Sequence, residues 1–215
     1  DTSAIEKIIK KTFQGKLIWT AASLHQREEN EILEAYKLAK AKLPNLVLVM
    51  VPRSIEYSKN TRRKAKIYSD LVTLRTEKEH MPFRNTEILI VGRVGELGLW
   101  YKLSFISFIG NSLDYKEIKT GKNPYEAIQA KTTIIHGPKM LEPGYEKLSS
   151  LGISDVVLDR NDICKALVKY SHSVDRIPKI NFGLNLIDHN KKMVKMIIKD
   201  LNSIYKKRGP RSPLS

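Results

Sequence analysis

Short β-branched runs alternate with longer segments of helical period along almost the whole chain, and this alternation limits the fold more than any other feature of the sequence. The clearest run is Leu46 to Val51, an unbroken apolar stretch. It is too short for a helix and lacks the polar alternation of a half-exposed strand. Such runs belong to parallel strands buried on both faces. Further strands are expected at Leu17 to Ala21, Leu71 to Leu74, Glu87 to Val91, Phe105 to Ile109, Thr133 to His136 and Asp155 to Leu158. Helical spacing is read over Ile5 to Thr12, Glu28 to Leu43, Ile55 to Ile67, Glu96 to Leu103, Pro124 to Ala130, Tyr145 to Leu151 and Asn161 to Tyr170. A last helix, Leu184 to Lys206, sets Met193, Met196, Ile197, Ile198, Leu201 and Ile204 on an amphipathic face.

Strands and helices in regular succession imply right-handed crossovers and a parallel sheet. The expected fold is a doubly wound, Rossmann-like α/β domain spanning residues 1–206. Residues 207–215, with Gly209, Pro210 and Pro213, read as a basic, disordered tail. Apolar residues make up 41% of the chain, enough for a core. The lone cysteine, Cys164, excludes an internal disulfide and a multi-cysteine zinc site, and fits a reducing compartment. No run approaches the roughly 18 apolar residues of a membrane span, and no signal-peptide pattern opens the sequence. A start at Asp1 hints that the chain is part of something longer.

A formal net charge of +15 points to an anionic partner: nucleic acid, an acidic lipid surface or a phosphorylated substrate. Charge alone fits a solvated basic surface equally well. The cations are spread over helices and loops, and aromatics, at 7%, do not interleave with them. A nucleic-acid interface is therefore the runner-up, and nucleic acid is not the expected partner. The histidines His25, His80, His136, His172 and His189 lack metal-ligand spacing, and no Gly-x-Ser-x-Gly elbow occurs.

In a doubly wound fold, ligands sit outside the carboxyl ends of the strands. Three expected strand-end loops stand out there. Pro52-Arg53-Ser54 places a guanidinium suited to paired hydrogen bonds with a phosphate or a base edge, although an ordinary exposed arginine fits the same residues. Gly92-Arg93-Val94-Gly95-Glu96-Leu97-Gly98 lets the backbone approach a ligand ahead of a helix N-terminus, but is not the dinucleotide fingerprint. Thr120-Gly121-Lys122-Asn123-Pro124-Tyr125-Glu126 has Asn123 as N-cap, Pro124 at the first helical position and Glu126 at the third. Glu126 either supports the cap or accepts ribose hydroxyls; the pattern leaves both open. Ser23 and Gln26 fit a capping box after the first strand.

In order along the chain, Trp19-Thr20-Ala21-Ala22-Ser23-Leu24-His25, Val51-Pro52-Arg53, Gly95-Glu96-Leu97-Gly98-Leu99-Trp100-Tyr101, Phe108 to Leu113, Gly121 to Ala127 and Gly137-Pro138-Lys139-Met140 resemble the C-terminal domain of 3-deoxy-D-manno-octulosonic acid (Kdo) transferases. The resemblance runs from about Lys16 to Lys206 and implies one half of a GT-B glycosyltransferase, binding CMP-Kdo without a metal or other cofactor. It carries donor contacts onto Pro52, Arg53, Val94, Gly95, Glu96, Asn123, Pro124, Tyr125 and Glu126. The Pro52-Arg53 loop would recognise cytosine and pair with the phosphate, and Glu126 would take the ribose. The acceptor side and the general base would belong to an N-terminal domain absent from this chain. The chain itself would then carry no catalytic residue, and alone it would be inactive and soluble. The implied partners of the whole enzyme are a lipid A precursor and the acidic membrane surface, at the cytoplasmic face of the inner membrane in lipopolysaccharide biosynthesis. A GT-B domain for another nucleotide sugar is the alternative. The sequence departs from the family pattern at Arg27, Ser54, Lys122 and Lys139, and its loop Asp114 to Lys119 is enlarged.

Overall fold

The computed structural model describes residues 2–76, 81–113, 123–140 and 143–208. Its centre is a sheet of seven parallel strands: β1 (Leu17–Leu24), β2 (Leu46–Pro52), β3 (Val72–Arg75), β4 (Ile88–Val91), β5 (Ile106–Ile109), β6 (Thr133–His136) and β7 (Ser154–Val156), in the order β3-β4-β2-β1-β5-β6-β7. From β1 the chain builds one side of the sheet with β2, β3 and β4, then returns to build the other side with β5, β6 and β7. The switch point lies between β1 and β5, which pair from Trp19↔Ile106 to Ala22↔Ile109. The Rossmann-like class expected from the alternation is therefore the observed one.

Alternation along β2 shows how the layers close. Leu46, Leu48 and Met50 point into a core shared with α2 (Glu29–Lys40), α3 (Ser58–Ala65) and α7 (Arg160–Ser171). Val47 and Val49 point the other way, toward Ile9 of α1 (Thr2–Thr12), Phe13 just beyond it and Trp100 of α4 (Leu97–Leu103). The same second face carries α5 (Pro124–Gln129), α6 (Pro143–Ser150) and the inner part of α8 (Ser173–Arg208) around Tyr101, Ile128, Tyr145 and Ile187. All five of these β2 residues are fully buried, so neither face of the strand tolerates a polar residue.

Several boundaries differ from the sequence expectation, each for a physical reason. No capping box forms at Ser23 and Gln26, because β1 continues to Leu24 and α2 begins only at Glu29. Ser23 instead takes a left-handed φ of 55°. The segment read as one helix from Ile55 opens with a 3-10 turn, Ile55–Tyr57, before α3.

The last helix begins at Ser173 rather than Leu184 and carries Pro178 inside it. Polar tethers hold this early part: Arg176 donates to the Tyr170 and Ser171 carbonyls, and Lys179 to the Gly152 carbonyl and Asp155. Gly183 lets the helix close on α5, since a Cβ there would lie 2.9 Å from Ile128. Farther along, Met193, Met196, Ile197 and Ile198 are exposed, so this part of the amphipathic face turns outward; the side chains of Leu201 and Ile204 lie outside the described residues. The helix runs two residues into the stretch read as tail; residues 209–215 lie outside the described residues.

Candidate functional site

At the carboxyl edge, beside the switch point, lies a cavity of about 360 Å³. Its walls include His25 and Glu28 from the β1–α2 connection, Arg53 and Tyr57 after β2, and Asn111 after β5. The position follows from topology, because the turns after β1 and β5 leave in opposite directions and open a crevice between them. Pro52 is buried as the last residue of β2, and its ring aims the chain so that Arg53 emerges exposed at the cavity. The Arg53 amide donates to the Leu24 carbonyl at 2.8 Å, tying the end of β2 to the end of β1. Its guanidinium has no partner among the described residues, so it is available to an anion. The buried His25 Nε2 in the same cavity also lacks a hydrogen bond.

The backbone at this edge is tightly built. Asn111 follows β5 with a left-handed φ of 63°. At Gly110 a Cβ would meet the Ala22 carbonyl oxygen at 2.8 Å, and at Gly137 it would meet the Ser112 carbonyl oxygen at 2.1 Å. Main chain thus packs on main chain across β1, β5 and β6, with no room for a side chain. Ser112 completes the clamp: its Oγ accepts from the Gly137 amide and its carbonyl from the Lys139 amide.

The glycine-rich turn after β4 stands at the same carboxyl edge, on the α4 side of the sheet. Gly95 has φ 84°, a conformation that favours glycine, and Val94 is 77% exposed. Glu96 was expected to meet the donor, but its carboxylate is committed elsewhere. Arg75, at the end of β3, binds it through Nε and Nη2, both at 2.7 Å, with both side chains buried. What the turn offers a ligand is its backbone and Val94, not the Glu96 carboxylate. Arg75 escaped notice in the sequence because a lone arginine ending a strand carries no signal until its partner 21 residues on is known.

The third expected turn keeps its cap. Asn123 Oδ1 accepts from the Tyr125 amide at 2.9 Å, with Pro124 opening α5. Pro124 is buried, Tyr125 half-buried, and Asn123 and Glu126 exposed. Burial, reinforced by the Glu126 charge, pushes the Tyr101 phenol well above its ordinary pKa, which places Glu126 beside the α4–α5 contact. The cavity wall holds Arg53 but neither Gly95 nor Glu126. Lys122, Thr120, Gly121 and the loop Asp114 to Lys119 lie outside the described residues. Among the described residues no cluster of three His, Cys, Asp or Glu side chains could hold a metal ion.

No protein-family model matches the chain. A 3-deoxy-D-manno-octulosonic acid transferase of Haemophilus influenzae is 28% identical over 209 residues, 91% of this chain and 46% of the relative. A transferase so named from Rickettsia typhi is 32% identical over 119 residues, 55% of this chain and 25% of the relative. The chain therefore spans less than half the length of these curated relatives. Among solved structures, the C-terminal CMP-Kdo binding domain of WaaA from Acinetobacter baumannii superposes with a TM-score of 0.71 at 22% identity, covering 85% of this chain and 98% of that one. A trehalose 6-phosphate synthase from Burkholderia multivorans superposes with a TM-score of 0.61 at 13% identity, covering 100% of this chain and 49% of that one. The resemblance read from the sequence and its GT-B half-fold are thus matched independently by sequence relatives and by fold.

Proposed function

We propose that the chain is the donor-binding half of a Kdo transferase, holding CMP-Kdo at the carboxyl edge of its sheet. The observation that carries this reading is Arg53, a guanidinium with no partner among the described residues, presented by the end of β2 to a cavity of about 360 Å³ at the switch point, roomy enough for a phosphate and more. The alignment of one 3-deoxy-D-manno-octulosonic acid transferase over 91% of the chain supports the choice of sugar.

In this reading the anionic phosphate of the donor pairs with Arg53. The nucleoside extends toward the Val94-Gly95-Glu96 turn, and its ribose meets Glu126 at the start of α5. Pro124 and Asn123 fix that helix start, and Tyr125 packs behind it. An acceptor hydroxyl displaces CMP from the anomeric carbon, with inversion. The contribution of this half is electrostatic: a fixed cation facing the phosphate as negative charge grows on the leaving group. The acceptor, a lipid A precursor, and the general base would come from a further domain, so this chain alone would not turn over. The excess of cations suits a phosphorylated acceptor and an acidic membrane surface, where each basic residue contributes about 1 kcal/mol of attraction. No described helix is long and apolar enough to cross a membrane. Residence at the cytoplasmic face of an inner membrane would therefore rest on surface contacts or on the further domain.

The test is calorimetric titration of the chain with CMP, UDP and GDP, repeated for Arg53→Ala and Glu126→Ala. CMP should bind best, and loss of a charge-assisted contact worth about 1.5–3 kcal/mol should weaken it roughly ten- to hundredfold in either variant. Equal binding by all three proteins, or a preference for UDP, would remove the assignment.

A further inference from the structure

We propose that Glu28 is a positioning residue whose buried carboxylate holds the switch-point crevice in the shape that receives the donor phosphate. This rests on the donor-site reading given above. Glu28 precedes α2 and is 2% exposed. Its Oε2 accepts from the amides of Asn111 at 2.6 Å and His25 at 3.2 Å. Its Oε1 accepts from Ser112 at 2.8 Å and Leu113 at 3.0 Å. One carboxylate thus spans the crevice from the turn after β1 to the turn after β5, the two strands between which the topology reverses.

The end of β1 and the turn after β5 each hold a left-handed residue, Ser23 at φ 55° and Asn111 at φ 63°, the former costly for a serine. Strained backbone of this kind persists only where its surroundings over-determine it. On its β6 side the Asn111-Ser112-Leu113 turn is clamped by Gly137 and Lys139. On its β1 side, Glu28 is the group that satisfies its three successive amides. A run of amides like this is otherwise a concave anion site. With an internal carboxylate seated there, a bound anion is denied those donors and repelled from that wall, and Arg53 becomes its partner. Glu28 and Asn111 both line the cavity that Arg53 enters, so a shift of this turn changes the cavity itself.

The geometry demands both the charge and the reach of glutamate. Glu28→Gln keeps the shape but turns an NH2 toward amide donors, so two of the four bonds are lost. Glu28→Asp keeps the charge and falls short of the turn by one methylene. The experiment combines amide hydrogen exchange by NMR with CMP titration of the parent and both variants. In the parent, the Asn111, Ser112 and Leu113 amides should exchange slowly although they sit in a loop; exchange at loop rates there overturns the proposal without any variant. In both variants these amides should lose protection, and CMP affinity should fall about tenfold or more at temperatures well below unfolding. A folded Gln variant with intact protection, or one with freed amides and parental CMP affinity, also overturns it. If the parent does not bind CMP, the donor reading fails instead, and the exchange data alone then decide whether Glu28 orders the turn.

Discussion

Removing one member of the Arg75–Glu96 pair should damage the domain severely, whereas replacing both should not. Glu96→Leu leaves the Arg75 guanidinium, 4% exposed, without the carboxylate that takes two of its donors at 2.7 Å. Among the described residues, the side-chain contact left to it is the Met81 sulfur at 3.2 Å. Arg93, 3.5 Å from the same carboxylate, would then face a second uncompensated cation. Breaking a buried pair from one side costs about 3–5 kcal/mol. For a domain of this size that is a fall of roughly 6–20 °C in melting temperature. Arg75→Met should cost about as much, by leaving Glu96 buried and charged with only the more distant Arg93. The double variant Arg75→Met/Glu96→Leu fills the same space without charge and should come within about 1 kcal/mol of the parent. Urea denaturation of the four proteins closes the cycle. Single losses under about 1 kcal/mol, or a double variant as unstable as the sum of the singles, would refute the view that a desolvated ion pair braces the Gly95 turn.

Gly137→Ala should cost about 3 kcal/mol by the same assay, because the new methyl would overlap the Ser112 carbonyl, a main-chain group that cannot swing aside. His136 yields a pH prediction. Burial lowers its pKa, outweighing the opposing effects of the Gly137 carbonyl and the Asp155 charge. Its Nδ1 donates to the Gly137 carbonyl, so Nε2 accepts from Ser149 or Ser154. Since the folded state resists the proton and the unfolded state takes it near the ordinary value of 6.5, stability should fall as pH drops below that value. His136→Asn should flatten that part of the stability–pH curve, and a parental slope in the variant would contradict the assignment.

What the sequence revealed and what it concealed divide by the range of the interactions. The strand β2 was legible because its apolar run is local, and the Asn123–Pro124 cap because its bond partner lies two residues away. Arg53 was legible as a residue just past a buried strand. Glu28 was not, since the amides it holds lie 83–85 residues downstream. For the same reason Ser23 passed for a helix cap: nothing local announces that β1 continues through it so that Leu24 pairs with Pro52 of β2. The early start of α8 was hidden because Arg176 and Lys179 secure that segment through distant carbonyls and a carboxylate rather than an apolar stripe. The commitment of Glu96 to Arg75 was likewise hidden, since the two residues lie 21 positions apart in the sequence.

The span of the Glu28 bonds also has a meaning for how the domain assembles. Joining residues more than eighty positions apart requires β5 to be docked beside β1, so the crevice cannot exist on a nascent chain that has made only β1 to β4. A nucleotide that fits the finished crevice therefore has nothing to grip on partly folded intermediates and draws the population toward the completed sheet. On the donor-site reading, occupancy by nucleotide would act as a proofreading mark that only chains with both halves joined can carry.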